Sequence, residues 1–167
     1  GMTNNARRPI LSVLLVDYDN VYSSLLRKCE NAAGRFAQDA GAWRSEIASG
    51  VLTTSLGAAP DGIQRRLVTR RCYGNPIPRR MPSNGDTDMN SFGFVRHKFL
   101  SAGFEVVDCP PQNAYHSYSS DISMVMDILD LLEHRTPFDE FVIFSNHGDF
   151  TPVLHRLRTH NKRIAVF

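Results

Sequence analysis

Three short stretches bring together the residue types that hydrolytic chemistry needs. Asp17-Tyr18-Asp19-Asn20 follows one apolar run, and Ser145-Asn146-His147-Gly148-Asp149-Phe150 follows another. Between them, Asp121 and Asp127 lie six positions apart around an apolar stretch. At about 100° per residue on a helix, Asp121 falls along the apolar face, while Asp127 borders it. A carboxylate on a buried face needs compensation, either from its own helix N-terminus or from something bound. Carboxylates drawn together repel one another unless a cation sits among them, and hard oxygen donors select Mg²⁺ or Mn²⁺. Beside such an ion water ionises more readily and charge building on a phosphate is neutralised, so phosphodiester hydrolysis becomes accessible.

These residues must be positioned by the elements around them. Ile10 to Val16 is almost continuously apolar, as in a strand buried on both faces. Asn20 to Cys29 reads as a helix, Asn31 to Arg35 as a polar gap, and Phe36 to Ala48 as a second helical stretch carrying the only tryptophan, Trp43. Ser49 to Gly62 reads as a loop and Ile63 to Tyr73 as the second strand, followed by a long connection through Gly74-Asn75-Pro76, Pro78 and Gly85. Helical spacing resumes over Asp86 to Ala102 with Gly103 at the C′ position, and Phe104 to Val107 is a third strand. Ser119 to Glu133 is the clearest helix, opened by Ser119 or Ser120 as a cap. Phe141 to Phe144, Phe150 to His160 and Arg163 to Phe167 complete the pattern as strand, helix and strand.

Strands alternating with helices predict an α/β fold: a mainly parallel sheet of about five strands, covered on both sides in three layers. Ligands of such sheets bind outside the carboxyl ends of the strands, where both Asp17 and the Ser145–Phe150 stretch fall. One domain spans 10–167, with a helical and loop insert near 31–62. Residues 1–9 form a tail whose Gly1, ahead of Met2, reads as an expression remnant.

Composition narrows the function classes. With 167 residues, 42% of them hydrophobic, the chain can bury a core without disulfides, and no apolar run is long enough to span a bilayer. Cys29, Cys72 and Cys109 lie 43 and 37 positions apart, at neither metal-ligand nor redox spacing, as expected of free thiols in the cytoplasm. The six histidines form no zinc signature, and no glycine-rich loop indicates ATP or NAD. The net charge of +2 hides an asymmetry: residues 1–80 carry 12 basic and 6 acidic side chains, residues 81–167 carry 7 and 11. Arg65-Arg66, Arg70-Arg71 and Arg79-Arg80 fit either a polyanion partner or an arginine-rich edge strand. Neighbours on a strand point to opposite faces, so about half of these charges can share one surface. Arg70, Arg71, Arg79 and Arg80, with Tyr73 and Tyr118 as stacking rings, are the candidate nucleic-acid contacts.

Val16-Asp17-Tyr18-Asp19-Asn20, Asp121-Ile122-Ser123-Met124-Val125-Met126-Asp127 and Ser145-Asn146-His147-Gly148-Asp149-Phe150 together resemble the three motifs of the NYN domains, PIN-like nucleases that include the LabA-like bacterial proteins. The resemblance implies a Rossmann-like (PIN-like) sheet and an Mg²⁺- or Mn²⁺-dependent endoribonuclease acting on single-stranded RNA. It assigns Asp17, Asp121 and Asp149 as metal ligands, adds Asp127 to the acidic set, and gives Asn20 an orienting role. His147 stands where the family commonly has an acidic ligand, which feeds the alternative of an impaired site in an RNA-binding or regulatory module. The resemblance leaves room for further domains beyond Phe167, and a homodimer stays open. A second alternative is a haloacid dehalogenase-like phosphatase, whose five-residue signature matches Asp17 to Val21. It lacks the second half of a late acidic pair, and Lys98 is the only lysine between Lys28 and Lys162.

Overall fold

The computed structural model describes residues 8–51, 60–111, 120–145 and 150–166. Its elements in chain order are β1 (Ile10–Asp17), α1 (Tyr18–Lys28), α2 (Glu30–Gln38), α3 (Ala40–Ser49), β2 (Arg65–Gly74), α4 (Phe92–Ser101), β3 (Glu105–Asp108), α5 (Ser120–Leu132), β4 (Glu140–Phe144), α6 (Thr151–Thr159) and β5 (Arg163–Val166). The strands form one sheet in the order β3-β2-β1-β4-β5, and every pairing is parallel. From β1 the chain steps outward to β2 and β3, then returns past β1 to β4 and β5. The connections leaving β1 and β4 therefore diverge, which opens a crevice at their carboxyl ends.

Alternation along the strands builds the three layers. Leu14 and Val16 of β1, Cys72 of β2, and Val142 and Phe144 of β4 face a core closed by α1 to α4. Val13 and Leu15, Tyr73, and Phe141 and Ile143 face a second core under α5 and α6. Val13 to Val16 are fully buried, as the continuous apolar run predicts. The first core is aromatic: Trp43 stacks on Phe36 at 5.4 Å and on Phe144 at 5.3 Å, and Phe99 meets Tyr18 edge-on at 5.5 Å. Tyr18 follows Asp17 directly and donates its hydroxyl proton to the Asn90 carbonyl at 2.5 Å, so the same packing pins the start of α1. Among the described residues, no helix is long and apolar enough to cross a membrane.

Several expectations are corrected. The predicted gap at Asn31 to Arg35 is helical, because Ala32, Ala33, Phe36 and Ala37 form one buried stripe; the break comes at Asp39, which separates α2 from α3. Residues 31–51 therefore contribute Ala33, Phe36, Trp43 and Ile47 to the main core. Asp86 to Ser91 precedes α4 as irregular backbone, since buried Asp88 accepts from the Tyr22 hydroxyl at 2.7 Å and from the Asn90 N–H at 2.9 Å. Gly103 closes the helix at φ 87°, as expected of a left-handed C′ residue. The arginine-rich strand is not an edge, because β2 lies between β1 and β3.

Candidate functional site

The carboxyl end of β1 is the centre of the site. Asp17 is the last residue of β1, in register with Tyr73, and is fully buried. Its Oδ2 accepts from Asn20 Nδ2 at 2.5 Å and its Oδ1 from the Ser120 hydroxyl at 3.0 Å. Asn20, expected from sequence to orient the acid, is thus hydrogen-bonded to Asp17, while Ser120, read from sequence as a helix cap, is helical and spends its hydroxyl on Asp17. Burial pushes the Asp17 carboxyl above its ordinary value, against those two hydrogen bonds and a third from the Asn20 backbone N–H, and the nearby Asp121 charge adds to the rise. Asp19 is also raised, first by burial and further by the Asp17 charge, although the Asn75 N–H donates to its Oδ2 at 2.7 Å.

Asp17, Asp19 and Asp121 therefore share one field of negative charge, and among the described residues no arginine or lysine lies within ion-pair distance of any of them. Asp17 is buried and Asp19 and Asp121 are half-buried, with only Arg79 acting on Asp19 from a distance, an excess of negative charge that a divalent cation with hard-oxygen preference would relieve. The set is incomplete on its own: among the described residues, no three of His, Cys, Asp and Glu gather at metal-binding spacing. Asp149 and His147, assigned from sequence to the same edge, lie outside the described residues, as does Tyr118. Ser145, just past β4, is described and buried.

Beside these acids opens a cleft of about 500 Å³, whose lining includes Asp19, Asn20, Asn75, Arg79, Cys109 and Ser120. Asn75, Cys109 and Ser120 come from the ends of β2, β3 and the start of α5, so the sheet order assembles what the sequence scatters. Burial raises the Cys109 thiol, which keeps it protonated and a poor nucleophile. The donors left to the cleft are oxygen and nitrogen atoms.

The remaining candidates separate. Asp127 is not part of this acidic cluster: Tyr73 donates its hydroxyl proton to it, and Arg71 pairs with it at 3.5 Å. Tyr73 is itself fully buried, so neither face of its ring is open to a base. Arg71 also pairs with Glu105 at 3.2 Å, whereas Arg70 donates to the Gly103 carbonyl from the other face, matching the strand alternation. Arg80 is exposed and bonds the Gly85 carbonyl. Arg79 alone of the four arginines lines the cleft. Sequence reading missed Ser120 and Asn75 because a serine at a helix start and an asparagine in a turn have ordinary local explanations.

Ser120→Ala removes one of two side-chain donors to a buried carboxylate. Its expected effect is a 10- to 100-fold loss of any metal-dependent activity, the scale of losing an orienting partner. The acidic limb of the pH profile should move to higher pH, and Ser120→Thr should restore both.

The structure of a protein of unknown function from Vibrio parahaemolyticus RIMD 2210633 shares the fold: the TM-score is 0.57 at 20% identity, over 99% of this chain and 83% of that one. No curated protein matches the chain. The family model of the NYN domain matches residues 12–167, from the first buried strand through the acidic motifs to the last strand, and the chain therefore belongs to the NYN domain family, whose members are generally nuclease-type domains.

Proposed function

We propose that this chain is a metal-dependent endoribonuclease that hydrolyses phosphodiester bonds of single-stranded RNA in the cytoplasm. The observation that carries the reading is the buried Asp17 with Asp19 and Asp121 beside it, none in an ion pair among the described residues, at the switch point of a parallel sheet. Asp17, Asp121 and Asp149 would hold Mg²⁺ or Mn²⁺, which when bound supplies charge neutralisation at the phosphate and a lowered pKa for attacking water. Asn20 and Ser120 hold the Asp17 carboxylate in one orientation, so its lone pairs stay aimed without rearrangement during reaction. Arg79 presents a fixed positive charge to a phosphate in the cleft, and Asn75 holds Asp19 through its backbone N–H. Asp127, with Tyr73 and Arg71, braces α5 against β2.

The test is incubation of labelled single-stranded RNA with Mn²⁺, Mg²⁺ or EDTA. Cleavage in either metal and none in EDTA is expected, with His147→Asp raising the rate by restoring an acidic side chain. A protein that holds RNA equally with and without Mn²⁺ and cuts in neither the natural nor the His147→Asp form is an RNA-binding module instead.

A further inference from the structure

A second cleft, of about 490 Å³, adjoins the acidic one and shares Ser23 and Arg79 with it. Its other lining residues include Leu26, Arg27 and Glu30 on and just after α1, and Met81 and Pro82 on the connection after β2. Asn20, Ser23 and Arg27 follow one another at helical spacing along α1, so the groove leads away from the acids for about 10 Å.

Arg79 stands at the seam and is held from every side. Its backbone N–H donates to Ser91 Oγ at 2.8 Å, its carbonyl accepts from the Asp88 N–H at 2.7 Å, and its Nη1 donates to Ser23 Oγ at 2.7 Å. Its guanidinium lies over the Tyr22 ring, 5.5 Å from the centroid, and Tyr22 is in turn fixed by its hydroxyl on Asp88. Yet no carboxylate among the described residues is within ion-pair distance of it. Asp19, in the same cleft, feels its charge from beyond ion-pair distance, so the guanidinium is ordered but not closed off by a carboxylate, and its fork matches phosphate. Beyond it, Leu26, Met81 and Pro82 offer apolar surface that suits the flat face of a base. Glu30, exposed, lines the same cleft with a carboxylate of the kind that accepts from an exocyclic amine such as those of cytosine and adenine.

We propose that the second cleft seats the nucleotide next to the scissile phosphate, with Arg79 gripping the phosphate at the seam and Glu30 favouring an amino-bearing base over uracil. This subsite rests on the reading of the neighbouring acidic site as an RNA nuclease. The experiment uses the full chain carrying Asp17→Asn, so that RNA stays intact, and measures anisotropy of labelled single-stranded RNA over a range of salt. Adding Arg79→Ala should weaken binding about tenfold and flatten the slope of log affinity against log salt by roughly 0.7 to 1, the mark of one lost phosphate contact. Arg79→Lys should recover the slope. Because Arg79 also packs on Tyr22, Met81→Asp provides a half-buried surface change whose expected result is the same loss of affinity. In the cleaving protein, Glu30→Ala should abolish a preference for cytosine or adenine over uracil at the position beside the cut. Unchanged affinity in both Arg79→Ala and Met81→Asp, with RNA still bound by the parent, overturns the subsite and leaves the nuclease reading standing. Failure of the parent itself to bind or cut RNA overturns that reading.

Discussion

Asp17→Asn is expected to abolish metal-dependent cleavage while making the metal-free protein more stable. The substitution keeps the shape of a fully buried side chain, and the Asn20 amide can turn to present its oxygen, so both hydrogen bonds remain available. What disappears is the charge. Removing a charge that stabilises the reaction by about 4 kcal/mol lowers the rate roughly a thousandfold. Without metal the sign for folding is reversed. Burial raises the Asp17 carboxyl above its unfolded value, so the folded chain holds that proton more tightly. The stability this contributes is present below the ordinary carboxylate range and is lost as pH rises through the raised folded value. Asp17→Asn escapes that loss. Melting curves in EDTA should show a higher Tm for the variant at neutral pH and a flatter dependence on pH, and added Mn²⁺ should raise the Tm of the natural protein only. A variant that melts lower than the natural protein in EDTA, or still cuts RNA, would remove Asp17 from the centre of the site.

Glu140→Gln is expected to cost about 3–5 kcal/mol of stability, the penalty for removing one charge of a fully buried pair while Arg65 keeps only its partly exposed partner Asp61. Glu140 opens β4 and Arg65 opens β2, and both side chains are fully buried at the amino end of the sheet, opposite Asp17. Arg65 meets Glu140 through two hydrogen bonds, of 2.6 and 3.1 Å, while Ser12 and Arg163 donate to the same carboxylate at 2.7 and 3.0 Å. Burial alone would pull the Arg65 guanidinium down, but its bonds to Glu140 and Asp61 push it up instead, so the pair is held as ions in the folded chain. The Arg163 contact is half-exposed and contributes little. Denaturant unfolding of Glu140→Gln, Arg65→Met and Glu140→Leu/Arg65→Met separates the pair from its solvation: the double variant should recover most of what Glu140→Gln loses. A loss under about 1 kcal/mol in Glu140→Gln would mean that water reaches the pair in solution.

Much of this molecule was legible in local patterns. The run from Ile10 to Val16 announces a strand buried on both faces, because no other short element hides every side chain. Its end at Asp17-Tyr18-Asp19-Asn20 places two carboxylates and an amide at the carboxyl edge of the sheet, since strand polarity follows chain direction in a parallel sheet. The alternation of strands and helices is likewise written residue by residue. Boundaries shifted where a tertiary partner outweighed local spacing, as at Asp88, which Tyr22 holds out of α4 from 66 positions away.

Partnerships across long loops were decided only by the tertiary structure. Nothing local distinguishes Arg65, locked into the core by Glu140, from Arg79, held without an ion pair among the described residues where two clefts meet. Nor does it show that Ser120 serves Asp17 rather than its own helix, or that Tyr73 is sealed beneath Asp127. Types and periods along the chain determine which face of each element is apolar. Which polar groups then meet depends on the order in which strands line up, and that order is set by the packing of the whole sheet.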